Sequence, residues 1–265
     1  MAPIPDFLFP IHVAIVTGAS RGVGRGVAAA LHDAGMRVYA TGRTVSSAAL
    51  PDGIVRVPCD HTDDDAVGHL FARVERESGR LDVLVNNAWG GYERMVEHGR
   101  FTWGLPFWEQ PVWRWDAMMT AGVRAAFVAS QLAAQVMVPA RHGLIVNISH
   151  WAAQKRIGNT LYGIAKAATD KLTNDIAVEL RPHGVAVVSL YPGLVRTEAV
   201  LGAGVFDLSN SESPEFIGRA VHGLSADPDL LALSGTTLVA ADLSQRYGFT
   251  DVDGKTPRAL TLGDV

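Results

Sequence analysis

Seven short runs of aliphatic and β-branched residues, at 12–17, 36–41, 54–58, 81–86, 144–149, 185–190 and 236–239, alternate with stretches of helical periodicity at 22–34, 63–78, 112–138, 160–181 and 214–224. The runs are apolar almost throughout rather than at every second residue, the pattern of strands covered on both faces. Strands joined through helices pair in parallel, and such crossovers are right-handed. The alternation therefore predicts an α/β fold in which a seven-stranded parallel sheet is flanked by helices. At 265 residues the chain is long enough for one large core, and no repeat, low-complexity tract or linker divides it. Residues 1–265 are read as a single domain.

The first run leads into Thr17-Gly18-Ala19-Ser20-Arg21-Gly22-Val23-Gly24, and this loop opens the first helical stretch. Glycines there have separate physical tasks: a tight turn at Gly18, close approach of backbone to a pyrophosphate at Gly22, helix–strand contact at Gly24. Unpaired N–H groups and the helix dipole attract phosphate to such a site. Strand, loop and helix together predict a doubly wound, Rossmann-like nucleotide-binding unit, with Ser20, Arg21 and Val23 in the binding loop. The second run ends at Ala40-Thr41-Gly42-Arg43, with no carboxylate to hold a ribose 2′-hydroxyl. Arg43 and Arg21 instead offer two forked guanidinium groups suited to a 2′-phosphate, so the expected cofactor is NADP(H).

Tyr162 and Lys166 stand four residues apart in the stretch 160–181, which puts both side chains on one helix face. A tyrosine of unperturbed pKa ~10 is a poor base at neutral pH, and a nearby ammonium favours its phenolate. Tyr162 is thus the candidate proton donor and acceptor, with Lys166 supplying charge and holding the nicotinamide ribose. Ser149 ends the run 144–149, at the carboxyl edge where ligands of open α/β sheets bind, and its hydroxyl is placed to polarise a carbonyl. Singly, each has a plainer reading as a cap, a half-buried ring or a solvated charge. Joined to the glycine loop they predict hydride transfer between carbon and nicotinamide.

These residues resemble the short-chain dehydrogenase/reductase family over nearly the whole chain. The resemblance rests on the glycine loop, Asp60, Asn86-Asn87-Ala88, Ser149, Tyr162 with Lys166, and Tyr191-Pro192-Gly193 followed by Thr197. It implies that Asp60 borders the adenine, that Asn87 and Ala88 support the cofactor strand, and that Val195 and Thr197 meet the nicotinamide amide beside Pro192 and Gly193. Phe107-Trp108-Glu109, the segment 179–185 and the segment 242–254 are similar to the dehydrogenase/reductase member 1-like branch, which implies a reductase of bulky carbonyl compounds. The family pattern places an asparagine in the helix after Trp115-Asp116, where this chain has Gly122. The usual four-residue proton relay is therefore incomplete. A freed backbone carbonyl or a water near Gly122 would replace it, or the glycine serves only close packing. The resemblance also implies a homo-oligomer, dimer or tetramer, built on the stretches 112–138 and 160–181.

Between Trp89 and Trp115 the alternation breaks into an irregular segment rich in aromatic residues, and all six tryptophans fall between Trp89 and Trp151. Long ordered loops of this kind are commonly functional. The segment 89–115 reads either as a substrate wall or as a subunit interface. Trp89, His150, Trp151 and Leu194 are the expected pocket residues, and 194–225 the substrate-side loop and helix. Basic residues do not cluster in the aromatic segment, which favours a neutral hydrophobic ketone, aldehyde or secondary alcohol over a highly anionic substrate.

A formal charge of −4 argues against a nucleic-acid partner. The histidines show no ligand spacing with Cys or acid, so no metal is expected. The apolar stretch 7–16 follows Pro3 and Pro5, contains Pro10, and lacks a basic flank or a cleavage-like end, so it does not read as a signal peptide. With one cysteine, Cys59, and no apolar run of about 18 residues, a cytoplasmic protein without a membrane span is expected. The alternative to an enzyme is a nucleotide-binding regulator or redox sensor with little turnover, which Gly122 favours and the intact Ser149, Tyr162 and Lys166 oppose.

Overall fold

A computed structural model describes residues 12–265, so part of the apolar stretch read at 7–16 lies outside the described residues. In chain order the elements begin with β1 (Val13–Val16), α1 (Gly22–Asp33), β2 (Arg37–Gly42), β3 (Val55–Pro58), α2 (Asp64–Ser78) and β4 (Val83–Asn86). A two-residue antiparallel pair follows, β5 (Val96–Glu97) and β6 (Arg100–Phe101), and then α3 (Trp113–Met118), α4 (Ala125–Ala140), β7 (Gly143–Ile148) and α5 (Thr160–Leu180). The last third contains β8 (Val185–Tyr191), β9 (Leu194–Val195), α6 (Glu198–Ala203), β10 (Ser211–Glu212), α7 (Pro214–Ser225), α8 (Leu230–Leu233), β11 (Thr237–Val239) and α9 (Ala240–Tyr247).

All seven predicted strands join one parallel sheet in the order β11-β8-β7-β4-β1-β2-β3. Alternate side chains serve opposite layers. Ala14 and Val16 of β1 face Val27, Leu31, Phe216 and Val221 of α1 and α7, whereas Val13 and Ile15 face Leu70, Phe71, Ala133 and Met137 of α2 and α4. From β1 the chain first builds outward to β2 and β3, then crosses back to β4 on the other side. That reversal opens a crevice at the carboxyl ends of β1 and β4, where open α/β sheets bind ligands.

The helix predicted at 112–138 is interrupted. A π-helical turn, Met119–Arg124, separates α3 from α4 and is centred near Gly122. Together Trp113–Ala140 are long and apolar enough to cross a membrane by length and composition alone. Ala129, Ala133 and Met137 of α4 are buried against the sheet, as in the core helix of an α/β fold.

Candidate active site

The loop between β1 and α1 has no room for a side chain at Gly18 or Gly24. Gly18 has φ +65°, and a Cβ there would stand 2.8 Å from Ala88 Cα. A Cβ on Gly24 would fall on the Gly18 carbonyl and the Asn87 amide. Thr17 ties this loop to the end of β4: its Oγ1 accepts from the Asn87 and Ala88 N–H groups, both at 2.9 Å. Asn87 Nδ2 returns bonds to the carbonyls of Thr17 and Gly18 at 3.0 and 3.1 Å. Asn87 and Ala88 thus brace the loop.

Arg21, at the N-cap of α1, makes no side-chain cap bond to the helix. The Gly22 N–H donates instead to Glu198 Oε2 at 3.0 Å, and Arg25 pairs with Glu198 Oε1 at 3.0 Å. A carboxylate therefore sits at the helix N-terminus, in the position that suits a phosphate oxygen. Farther out, Arg43 and Arg21 converge on Glu93 Oε1 at 2.5 and 3.4 Å. That bond raises the pKa of Arg43 above the ordinary arginine value. Ser20 lies over Gly42 at the end of β2. Asp60 accepts from the backbone and hydroxyl of Thr62 at 3.0 and 2.7 Å, which lowers its carboxyl pKa.

Inward, a cavity of about 680 Å³ opens between the carboxyl edge of the sheet and the segments after β4 and β8. Val23, Asn87 and Ala88 line its cofactor-loop side, and Pro192, Gly193, Val195 and Thr197 line the side after β8. Ser149, Tyr162 and Lys166 share its wall. Asn159 caps α5, its Oδ1 accepting from Tyr162 N at 2.9 Å, which fixes where the tyrosine enters the helix. Lys166 lies one turn on, donating from Nζ to the Ile148 carbonyl at 3.0 Å. Burial lowers its pKa to about 8. Ser149 Oγ donates to the Lys166 carbonyl at 3.4 Å. Burial and the neighbouring Tyr92 phenol hold Tyr162 protonated well above the ordinary tyrosine range.

Of the predicted pocket residues, Trp89 and His150 line the cavity. His150 accepts from Ala152 N at 3.0 Å, and burial with Lys166 nearby lowers its pKa to about 4, so it is a neutral acceptor at physiological pH. The other two predicted pocket residues stand elsewhere. Trp151 is only 9% exposed and packs edge-on against Tyr191, because the turn after β7 directs it into the core. Leu194 belongs to β9, paired with β10, and is not among the wall residues.

The aromatic segment divides its residues between two roles. Trp89, Tyr92, Met95, Phe101 and Trp103 line the cavity, whereas Phe107, Trp108 and Val112 are exposed on its outer side. Arg114, wholly buried, holds the segment together through the Thr102 carbonyl at 2.9 Å and the Thr102 hydroxyl at 2.8 Å. Gly122 has a specific packing task. A Cβ there would lie 2.7 Å from Trp89 Cε3, so the Trp89 ring occupies the space that an asparagine side chain would need. The same ring lies 4.3 Å from Lys166 Nζ, a cation–π contact. The π turn sits at this junction, as such turns often do at functional sites.

Sequence reasoning missed Tyr92, Glu93, Glu198 and Glu212 as site residues. Tyr92 donates to the Tyr162 hydroxyl at 3.0 Å across 70 residues of sequence. Glu212, buried and with its pKa raised to about 7 by that burial, accepts from Gly193 N at 2.8 Å. Only the folded chain brings these groups to the cleft.

Comparison with known proteins agrees with this geometry. Residues 12–203 match the family described as short chain dehydrogenase. Dehydrogenase/reductase SDR family member 1 of Mus musculus and that of Homo sapiens are each 42% identical over 266 residues, covering 92% of this chain and 84% of theirs. The solved structure of YwfH, an NADPH dependent reductase involved in bacilysin biosynthesis, superposes with a TM-score of 0.71 at 21% identity, covering 87% of this chain and 96% of its own. A chain described as ribose-5-phosphate isomerase from Brucella melitensis 16M reaches 0.75 at 27% identity, covering 87% and 91%. Likeness of fold spans different described activities, so the reaction must be argued from the site.

Proposed function

The chain belongs to the short-chain dehydrogenase/reductase family of oxidoreductases, and from that premise we propose that it moves a hydride between NADP(H) and a hydrophobic ketone, aldehyde or secondary alcohol. The observation that carries this reading is the shared cavity wall of Ser149, Tyr162 and Lys166, beside a glycine loop whose helix N-terminus holds a carboxylate. The packed glycines and that carboxylate fit a dinucleotide. The N-terminus of α1 would take the pyrophosphate, Arg21 and Arg43 the 2′-phosphate, and Lys166 the nicotinamide ribose. Asp60 would border the adenine, and Val195 and Thr197 the nicotinamide amide. When bound, the cofactor supplies or accepts the hydride at the substrate carbon.

The protein's own part is proton transfer and charge. In reduction the Tyr162 hydroxyl gives its proton to the substrate oxygen, and the phenolate that remains is stabilised by the Lys166 ammonium. Ser149 donates to the same oxygen after turning from the Lys166 carbonyl, and so stabilises the charge that develops there. The buried phenol keeps its proton near neutral pH, the form needed to protonate a carbonyl oxygen. Tyr92, Phe101, Trp103 and Phe206 give the cavity an apolar wall suited to a bulky uncharged carbonyl compound.

Lys166 sets the pH dependence. A lysine whose pKa is lowered to about 8 keeps its charge below that pH and loses it above. The kcat/KM for carbonyl reduction is expected to be full near neutrality and to fall as pH rises through about 8. A profile flat to pH ~10, the range of an ordinary lysine, would exclude this role. The direct test of the function is a fluorescence titration with NADPH and NADH, followed by NADPH oxidation with a panel of hydrophobic carbonyls. Tight NADPH binding without turnover of any carbonyl would favour a nucleotide-bound regulator or redox sensor.

We also propose a homo-oligomer formed through α4 and α5. Phe127 on α4 and Val178 on α5 are 48% and 72% exposed, and a second copy would cover them. Phe127→Glu with Val178→Asp is expected to yield monomers by light scattering. An unchanged mass would place the interface elsewhere.

A further inference from the structure

Tyr92 and Glu93 are consecutive, yet their side chains reach the two functional ends of one cleft. Tyr92 donates to the hydroxyl of Tyr162 at 3.0 Å and packs on Trp103 with ring centres 5.3 Å apart. Glu93 Oε1 lies 2.5 Å from Arg43 and 3.4 Å from Arg21, the two cations read as the 2′-phosphate site. On one side the pair follows Gly90 and Gly91, and on the other it meets a segment fixed by Arg114, which donates to the Arg94 carbonyl at 3.4 Å. The segment is thus anchored behind the pair, and ahead of it Gly90 and Gly91 pass close against Ala117 and the Trp89 ring.

We infer that residues 92 and 93 form a specificity strap: Glu93 competes with the 2′-phosphate of NADP(H) for Arg21 and Arg43, and its release draws Tyr92 off the Tyr162 hydroxyl. The inference rests on the NADP(H) reading above. Two guanidinium groups that bind one carboxylate must exchange it for a phosphate, because the two anions repel each other at that spacing. The phosphate carries more charge and more acceptor oxygens, so it wins the exchange. A ribose 2′-hydroxyl has neither advantage and leaves Glu93 in place. NADP(H) would therefore both bind and clear the proton donor, whereas NAD(H) would bind with Tyr92 still on Tyr162. Glu93 thereby becomes a residue that sets cofactor preference, and Tyr92 a positioning residue for the catalytic tyrosine.

The test uses the full chain, calorimetric titrations with NADPH and NADH, and intrinsic tryptophan fluorescence with 2′,5′-ADP and with ADP. Glu93→Gln removes the competing charge, so NADPH should bind about fivefold more tightly while NADH changes less than about twofold. 2′,5′-ADP carries the 2′-phosphate but no nicotinamide. It should alter the fluorescence of the wild-type tryptophans, because Tyr92 packs on Trp89 and Trp103. ADP should not, and Glu93→Gln should remove most of the difference. The strap is overturned if wild type prefers NADPH but Glu93→Gln leaves that preference unchanged, or if it weakens NADH, which would make Glu93 a ribose ligand. A wild type that prefers NADH or binds neither cofactor defeats the NADP(H) reading itself, and the strap with it.

Discussion

Tyr162→Phe is expected to lower turnover by about 10³-fold, within the range that positioned acid–base groups contribute, while NADPH binding stays within about twofold of wild type. Phenylalanine keeps the ring, which packs among Trp89, Trp103 and His150 with centres 5.3–5.8 Å away. It removes only the hydroxyl. The Asn159 cap bonds the backbone N–H of residue 162 and survives the change, so the start of α5 and the place of Lys166 are retained. The loss should therefore appear in kcat rather than in stability or cofactor affinity. The measurement is single-turnover NADPH oxidation beside a binding titration on the same sample. Turnover within tenfold of wild type would remove Tyr162 from the acid role, and Tyr92, whose hydroxyl is 3.0 Å away, would be the next candidate.

The difference between what was readable before folding and what was not follows from the range of the interactions. Each strand run carries its own signal, because burial on both faces makes almost every residue apolar, and all seven runs joined the sheet. Tyr162, Lys166 and the glycine loop were legible for the same reason: their spacing is local, and helix or turn geometry converts it directly into position. The break between α3 and α4 was not. It coincides with the Trp89 ring lying against Gly122, and nothing in the stretch 112–138 records that contact. The two readings of the aromatic segment, wall or interface, were left open because its inner and outer residues have the same composition. Folding divides them through Arg114, whose partners Thr102 and Arg94 lie 12 and 20 residues away. Trp151 was misassigned to the pocket because neighbours in sequence after a strand end diverge: His150 faces the cavity and Trp151 faces Tyr191.

Trp89 also bears on the missing relay. A water or freed carbonyl beside Lys166 was one expectation from Gly122, and close packing was the other. The ring fills the space where the asparagine would project, and its face is turned to the Lys166 ammonium at 4.3 Å. A cation–π contact stabilises the charged lysine without offering a proton path. Among the described residues, Lys166 has one direct hydrogen-bond acceptor, the Ile148 carbonyl. On the proposed reading, the Trp89 face offsets part of the cost of burying the Lys166 charge, and Tyr162 would regain its proton from the cavity side.

Arg43→Ala is expected to weaken NADPH by roughly 10- to 100-fold and NADH by less than about twofold. A hydrogen bond to a charged group is worth about 1.5–3 kcal/mol, and about 1.4 kcal/mol is a tenfold change in affinity. Arg43 is the nearer of the two cations to the Glu93 carboxylate, at 2.5 Å against 3.4 Å for Arg21. Its removal leaves Arg21 alone to face Glu93, so the variant loses a phosphate donor while the competing charge stays. The lost donor acts against NADPH, and NADH, with no 2′-phosphate, does not register it. Titration of both cofactors at two salt concentrations separates them further, because wild-type NADPH binding, with its extra 2′-phosphate contact, should weaken more steeply than NADH binding as the ionic strength rises, and Arg43→Ala should reduce that difference. Equal losses for the two cofactors would mean that Arg43 supports the fold of the cleft rather than the phosphate, and cofactor choice would then have to be sought at Asp60 or Ser20.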